Sequence, residues 1–253
     1  MTCINTSPLR RYYTGRVAPA FFAHLFKAVA KQHHRELIPL FRGLLGEDAV
    51  VFDVGAHAGQ FTKLFARLAA KGFVFAVEPQ SYARRILAAA IRCNRLDNVA
   101  ILPMALGERP GVGLLSVPIK ASGSYGFGLA TLGTIARHRE CEREAVAIAT
   151  LDQCVATLGL HRLDLVKADI EGGELAMLKG AQRTLETLRP ALYLELDERH
   201  LSRSGGTLAE AWGFLVRYGY RACDPAPGCN RAPISEPRGG DILWLPMEAA
   251  DCA

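Results

Sequence analysis

The most regular pattern along the chain is an apolar run followed directly by an amphipathic segment. Residues 50–52 are all apolar, and Asp53 follows them. In residues 60–70 the apolar positions recur at intervals of three and four, which places them on one face of a helix. This pattern predicts a buried strand that turns sharply into a helix. The apolar helical positions are Phe61, Leu64, Phe65, Leu68 and Ala69.

The alternation of apolar runs and helical spacing continues along the chain. Strands that alternate with helices indicate a doubly wound, mostly parallel sheet. The last two runs indicate an antiparallel pair of strands beside it. The further strands are predicted at residues 73–77, 99–102, 146–149, 163–168, 191–196, 220–223 and 241–245, and one helix is predicted with the buried stripe Leu175, Leu178, Leu185 and Leu188.

Two regions depart from this alternation. Residues 1–47 precede the first strand and contain apolar residues at helical spacing from Phe21 to Val29, which predicts a helical extension. Glycine, serine and single charges dominate in residues 109–145, as is typical of a long functional loop or hairpin. We therefore expect an extension over residues 1–47 and one α/β domain over residues 48–253, with a lid-like insertion around residues 116–145.

The composition limits the class of protein. The chain has 253 residues, 50% of them hydrophobic, which is enough for one sizeable core. The net charge of +5 is modest, and no basic stripe interleaved with aromatic residues indicates nucleic-acid binding. The 7 cysteines form no C-x-x-C pair, which favours reduced thiols and a cytoplasmic location. No apolar run reaches membrane-spanning length, although contact of the acid-free residues 1–35 with a membrane surface stays open.

The turn after the first strand contains the clearest chemical signal, because residues 53–60 have the sequence DVGAHAGQ. Such a turn gathers backbone N–H groups and the positive end of a helix dipole, and Gly59 would allow a ligand to approach closely. His57 occupies the middle glycine of the dinucleotide fingerprint, and Asp53 would repel a pyrophosphate. S-adenosylmethionine (SAM) has no phosphate, and Asp53 could attract its ammonium group. The turn favours SAM, and an ordinary glycine-rich turn is the alternative.

Acidic residues follow four of the predicted strands. Glu78 comes about 20 residues after the glycine turn, where an acid in a doubly wound sheet accepts hydrogen bonds from both ribose hydroxyls. Asp169 and Glu195 end two later strands, as Asp53 ends the first. Ligands bind at the carboxyl ends of the strands in such sheets, so these four acids are candidate site residues.

The sequence resembles the FkbM-type family of SAM-dependent methyltransferases. The matching segments are VFDVGAHAGQ at 51–60, TLD at 150–152, VKADIEGGE at 166–174, LKGA at 178–181 and RP at 189–190, followed by Glu195. The resemblance implies a seven-stranded class I methyltransferase sheet and O-methylation, often of a sugar or natural-product hydroxyl. His57 stands where the family commonly has Asn, and Met104 where a polar residue is frequent.

We therefore expect a SAM-dependent O-methyltransferase that acts on a small polyhydroxylated or natural-product acceptor. Asp169 is the first candidate for the base that takes the hydroxyl proton, and Glu195 is the second. Glu171 and His200 are weaker candidates. The expected cofactor-binding residues are Asp53, Gly55, Ala56, His57, Gly59, Gln60, Glu78, Pro79, Met104, Ala105 and Asp169.

Three other functions stay open at this point. In a metal-assisted methyltransferase, Asp169, Glu195 and a third oxygen ligand would hold Mg²⁺ near the acceptor. An NAD-dependent oxidoreductase and a non-enzymatic SAM-binding module are further alternatives. The expected partner is a small-molecule acceptor, with no nucleic acid and no transmembrane segment, and a homo-oligomer is left open.

Overall fold

The structure is a computed structural model that describes residues 18–118, 131–132, 141–225 and 232–247. Its helices and strands are named in chain order. The strands are β1 (Val50–Val54), β2 (Phe73–Val77), β3 (Val99–Leu102), β4 (Ala105–Leu106), β5 (Gly111–Pro118), β6 (Thr131–Leu132), β7 (Cys141–Ala149), β8 (Leu165–Ala168), β9 (Ala191–Leu196), β10 (Tyr220–Cys223) and β11 (Gly240–Pro246). The helices are α1 (Ala18–Ala30), α2 (Ile38–Arg42), α3 (Gln60–Leu68), α4 (Ser81–Cys93), α5 (Leu151–Thr157), α6 (Glu174–Lys179), α7 (Gln182–Thr187), α8 (Glu198–Arg203) and α9 (Leu208–Arg217), with a 3₁₀ turn at Arg35–Leu37.

Seven strands form the main sheet, in the order β10-β11-β9-β8-β1-β2-β3. Strand β11 is antiparallel to both of its neighbours, and the other pairs are parallel. The predicted doubly wound α/β fold, with a seven-stranded and mostly parallel sheet, is therefore confirmed. Strands β2, β3, β9 and β10 have the predicted bounds.

Both faces of the main sheet are covered, which explains the continuous apolar runs of its strands. Successive side chains of a strand point to opposite faces. Val51 therefore packs with Phe41 and Phe65 beneath α2 and α3. Phe52 packs with Phe75 in the larger cluster on the other face, which α5, α6, α7 and α9 cover.

The single helix predicted from Leu175 to Leu188 is two helices in the structure. Helix α6 ends at Lys179. At the following residue, Gly180, the backbone lies so close to Gly107 that an added Cβ would be 2.1 Å from the Gly107 carbonyl oxygen. Helix α7 then begins with support from Asp152, whose carboxylate accepts hydrogen bonds from the backbone N–H groups of Arg183 and Thr184. These two tertiary contacts interrupt the apolar stripe, which looks continuous in the sequence.

A smaller sheet, in the order β4-β7-β5-β6, packs beside the main one. Its strands β5 and β7 are antiparallel, and β5 pairs along its whole length, from Gly111 opposite Ile148 to Pro118 opposite Cys141. The strand predicted at 146–149 is thus the end of a longer one. Most of the insertion predicted around residues 116–145 lies outside the described residues.

The described part of the N-terminal extension contains α1, the 3₁₀ turn and α2, and α1 packs against α4. Phe21, Leu25 and Val29 of α1 contact the small core between α4 and the smaller sheet. Residues 1–17 lie outside the described part of the chain. Within the described ranges, no helix is both long and apolar enough to cross a membrane.

Candidate active site

A cavity of about 470 Å³ lies at the carboxyl ends of β1, β2, β8 and β9. This is the edge where ligands bind in doubly wound sheets, and the volume is in the usual range for small-molecule sites. Most of the predicted site residues line it. They are Gly55, Ala56, His57, Gln60, Glu78, Pro79, Ala105, Asp169 and Glu195.

The glycine turn is held between the two neighbouring strands. The backbone N–H groups of Gly55 and Ala56 both donate to the carbonyl oxygen of Val77, at 3.0 Å. Gly55 has a φ of 74°, and a Cβ there would be 2.0 Å from the carbonyl oxygen of Asp169. Only glycine fits this position without moving the turn after β8.

The backbone donors that we expected to be free in this turn are largely used within the protein. The N–H of His57 donates to Glu78 Oε2 at 2.8 Å, and that of Gly59 donates to the carbonyl oxygen of Ala56 at 2.8 Å. Together with the bonds of Gly55 and Ala56 to Val77, they satisfy four N–H groups of the turn. The turn is therefore a poor cradle for a phosphate.

Three of the predicted cofactor-binding residues do not line the cavity. Asp53 is fully buried below it, and Met104 packs at the edge of the larger core cluster. Gly59 has a φ of 83° at the start of α3, and a Cβ there would be 2.6 Å from Leu87 Cδ1 of α4. The backbone conformation and the packing of α4 thus account for this glycine, rather than the approach of a ligand.

Glu78 lies at the end of β2 with both carboxylate oxygens hydrogen-bonded to the backbone. Oε2 accepts from the N–H of His57 and Oε1 from that of Gln80, each at 2.8 Å. A carboxylate has about four acceptor positions, so two remain for a ligand. Burial raises the pKa of Glu78 to about 7, and burial lowers the pKa of the neighbouring His57 to about 4.

Strand register brings a second group of polar side chains to one face of the sheet. Lys167 lies opposite Asp53 on one side and Tyr193 on the other. Two positions further on, where side chains return to the same face, Asp169 and Glu195 follow. The group is completed by Asp241, which pairs with Glu195 across β9 and β11. The members that line the cavity are Lys167, Asp169, Tyr193, Glu195 and Asp241.

Lys167 is the buried cation of this group. Its Nζ lies 3.5 Å from Asp53 Oδ1 and 3.9 Å from Asp169 Oδ2. It also donates to the carbonyl oxygen of Gly55 at 3.2 Å and lies 5.1 Å from the centre of the Phe61 ring. The Lys167 charge therefore links Asp53 near the end of β1, the glycine turn and Asp169 after β8.

The remaining acids of this group repel one another. Burial raises the pKa of Glu195 to about 8, and the hydrogen bond with Asp169 and the negative charge of Asp169 act in the same direction. Burial and the charge of Asp169 also raise the pKa of Asp241, although a hydrogen bond from Tyr193 works in the opposite direction. At neutral pH Glu195 is therefore mostly protonated and can donate to Asp169.

A profile of the Methyltransferase FkbM domain matches residues 53–222, which is more than half of the chain. The chain belongs to this methyltransferase family. The match includes the glycine turn, Glu78, Asp169 and Glu195.

Two curated proteins are similar to this FkbM-family methyltransferase. It is 26% identical over 186 residues to 2-O-methyltransferase NoeI of Sinorhizobium fredii, a match that covers 66% of this chain and 70% of NoeI. It is 24% identical over 214 residues to AMB antimetabolite synthetase AmbE of Pseudomonas aeruginosa, which covers 70% of this chain. The match spans only 10% of the length of AmbE.

A solved structure shares the fold. The crystal structure of methyltransferase FkbM from Methylobacillus flagellatus superposes with a TM-score of 0.52 at 16% identity. The superposition covers 90% of this chain and 58% of that one. At this identity the likeness concerns the fold of the FkbM-family chain and not its substrate.

The weaker candidates Glu171 and His200 form a pair at the rim of the site. Glu171 Oε2 lies 3.2 Å from His200 Nδ1, and Glu171 lines the cavity. Burial raises the pKa of Glu171. In the part of the chain that the structure describes, no group of three or more His, Cys, Asp and Glu residues is arranged to hold a metal ion.

The sequence analysis missed several cavity residues, among them Lys167, Tyr193, Asp241 and His34. Lys167 and Tyr193 could have been found, because each stands two positions before a predicted site acid on the same strand. Asp241 depends on the pairing of β11 with β9. His34 comes from the N-terminal extension and stacks on Phe61 at 4.4 Å between ring centres.

Proposed function

We propose that this chain transfers the methyl group of SAM to a hydroxyl oxygen of a small polyhydroxylated or natural-product acceptor, with Asp169 as the base. The observation that supports it most is the position of Asp169. Its carboxylate lines the cavity, next to buried Lys167 and hydrogen-bonded to Glu195, at the end of the strand beside the glycine turn.

The turn and Glu78 fit SAM better than a dinucleotide. The N–H groups of Gly55, Ala56, His57 and Gly59 already have partners within the protein, so a pyrophosphate would find few donors. Glu78 keeps two acceptor positions for the ribose hydroxyls. When bound, SAM supplies an electrophilic methyl group on a sulfonium sulfur.

The protein's own groups would activate the acceptor. Asp169 takes the proton of the acceptor hydroxyl as the oxygen attacks, which is worth about 10²–10⁴-fold in rate. The ammonium group of Lys167 stabilises the negative charge of Asp169 before the reaction. Protonated Glu195 donates a hydrogen bond to the Asp169 carboxylate. Orientation of the two reactants in the cavity and exclusion of water supply further acceleration.

The acidic part of the cavity, which is lined by three carboxyl groups besides Asp169, suits an acceptor with several hydroxyl groups. Glu195, Asp241, Glu171 and Tyr193 all line the cavity. Carboxyl groups accept hydrogen bonds from hydroxyls and fix their orientation. The similarity to NoeI, a 2-O-methyltransferase, agrees with an oxygen acceptor.

The proposal is tested by incubating the protein with methyl-labelled SAM and a fractionated extract of its source. The expected result is one class of labelled product whose methyl group is bound to oxygen, formed at a much lower rate by an Asp169→Asn variant. A labelled nitrogen or carbon atom in the product would overturn the O-methylation. Preferential binding of NADH over SAM would overturn the whole assignment.

A further inference from the structure

The outer face of α1 exposes two phenylalanines to solvent. We define this face as residues 22, 23, 26, 27 and 30 of α1 together with Lys31, which directly follows the helix; all are exposed and follow helical spacing. Phe22 and Phe26 lie one turn apart on it, with 65% and 67% of their surface accessible. Neighbouring exposed aromatic side chains of this kind are typical of a binding surface.

Helix α1 is held so that it cannot turn these phenylalanines inward. On its opposite side Phe21 packs edge-on against Tyr82, with ring centres 5.7 Å apart, and Ala28 is buried. At its C-terminal end, buried Lys63 donates to the carbonyl oxygens of Ala28 and Lys31. The outer face is therefore a fixed part of the surface.

The charge around the outer face is entirely positive in sequence. Lys27 and Lys31 lie on the face itself. Residues 1–35 contain no Asp or Glu, and their basic residues are Arg10, Arg11, Arg16, Lys27, Lys31 and Arg35. A partner of the outer face would thus combine apolar groups with negative charge.

Coverage by the chain itself or by a second copy does not meet this requirement. Residues 1–17 are basic, and residues 119–140 contain Lys120, Arg137 and Arg139 against the single acid Glu140. Either segment would bring more positive charge towards Lys27 and Lys31. Two copies that met through this face would place the same lysines together.

We propose that the outer face of α1 binds the surface of a membrane that contains anionic lipids. Phe22 and Phe26 would enter the boundary between headgroups and acyl chains, and Lys27 and Lys31 would contact the lipid phosphates and carboxylates. This function is separate from methyl transfer, because the residues of the outer face do not line the cavity.

Vesicle flotation with the full chain tests the proposal. The probes are vesicles of phosphatidylcholine alone and of phosphatidylcholine with phosphatidylserine. We expect the protein to float with the anionic vesicles, and to float less as salt is raised. Phe22→Ser with Phe26→Ser should weaken binding by about tenfold or more, because the two aromatic groups that would enter the membrane are lost. Lys27→Gln with Lys31→Gln should remove the preference for phosphatidylserine.

The smaller sheet offers a matched control. Val112 and Leu114 of β5 are also exposed, so Val112→Ser with Leu114→Ser removes apolar surface elsewhere. This variant should float like the parent. Phe22→Trp provides a second measurement, since its fluorescence should shift to the blue with anionic vesicles, whereas the native Trp212 and Trp244 are buried.

Several results would overturn the proposal. They are no flotation of the parent, equal flotation without phosphatidylserine, or an equal loss in the β5 variant. A dimer that dissociates in the double serine variant, without flotation of the parent, would assign the face to a second copy. Binding to single-stranded polyuridylate that depends on Phe22 and Phe26, again without flotation, would assign it to nucleic acid.

Discussion

Lys167 Nζ lies 3.5 Å from Asp53 Oδ1, and both side chains are almost completely buried. Asp53 has one other side-chain partner, the hydroxyl of Thr62, which donates to Oδ2 at 2.5 Å. The carboxylate that the sequence presents as a cofactor ligand thus neutralises a buried lysine that lines the cavity. This arrangement leaves Lys167 to support Asp169 from below.

Lys167→Met should destabilise the protein strongly. Removal of one partner from a buried ion pair leaves the other charge uncompensated, which costs about 3–5 kcal/mol of unfolding free energy. Urea unfolding followed by circular dichroism measures this loss. Asp53→Asn added to Lys167→Met should recover a large part of it, because the buried charge is gone and the bond from Thr62 can remain. Equal stability of the parent and Lys167→Met would contradict the role of this pair.

Asp169→Asn should lower kcat far more than the affinity for SAM. Asn keeps the size of the side chain but cannot take a proton, so a loss of about 10²–10⁴-fold in kcat is expected. Steady-state kinetics and calorimetric SAM titration separate the two effects. A mainly weaker SAM affinity would instead assign Asp169 to the cofactor. Recovery of the rate by added Mg²⁺ or Mn²⁺ would favour the metal-assisted mechanism.

Glu78→Ala should weaken SAM binding by about 1.5–3 kcal/mol, because it removes the acceptor for two ribose hydroxyls. Calorimetry at neutral pH measures the change. Glu186→Ala, at an exposed position outside the cavity, is a matched control and should bind SAM like the parent. Unchanged SAM affinity of Glu78→Ala would remove this residue from the cofactor site.

The stability of the protein should fall as the pH rises towards about 8, because Glu195 loses its proton. Its pKa is raised to about 8, mainly by burial, so the folded state holds this proton more tightly than the unfolded chain does. The stability from this group is complete below the unfolded pKa of about 4.3 and is lost as the pH rises through the folded pKa. Glu195→Gln resembles the protonated form and should show a smaller fall in Tm between about pH 5 and pH 9.

Other acids also contribute to the fall in stability with rising pH. Glu78, Glu171 and Asp241 also have raised pKa values, so they act in the same direction in both proteins. The difference between the parent and Glu195→Gln is therefore the quantity to measure by thermal unfolding. Identical pH dependence of Tm in the two proteins would contradict the raised pKa of Glu195.

The sequence alone determined the elements whose signals are local. The spacing of apolar residues defined β2, β9 and α3. Burial on one or both faces of an element produces a run or a periodic spacing of apolar residues within a short stretch of sequence. The positions of Glu78, Asp169 and Glu195 at the cavity followed from the same signals, since the carboxyl ends of parallel strands meet at one edge of the sheet.

Only the tertiary structure decided which of these groups face the cavity and what they touch. Asp53 is turned to Lys167 below the cavity, and Gly59 is explained by the packing of α4, because contacts between distant segments determine both. Asp241 and His34 reach the site through strand pairing and through the path of the N-terminal extension. Such contacts join residues far apart in the chain, so no local pattern of apolar and polar residues records them.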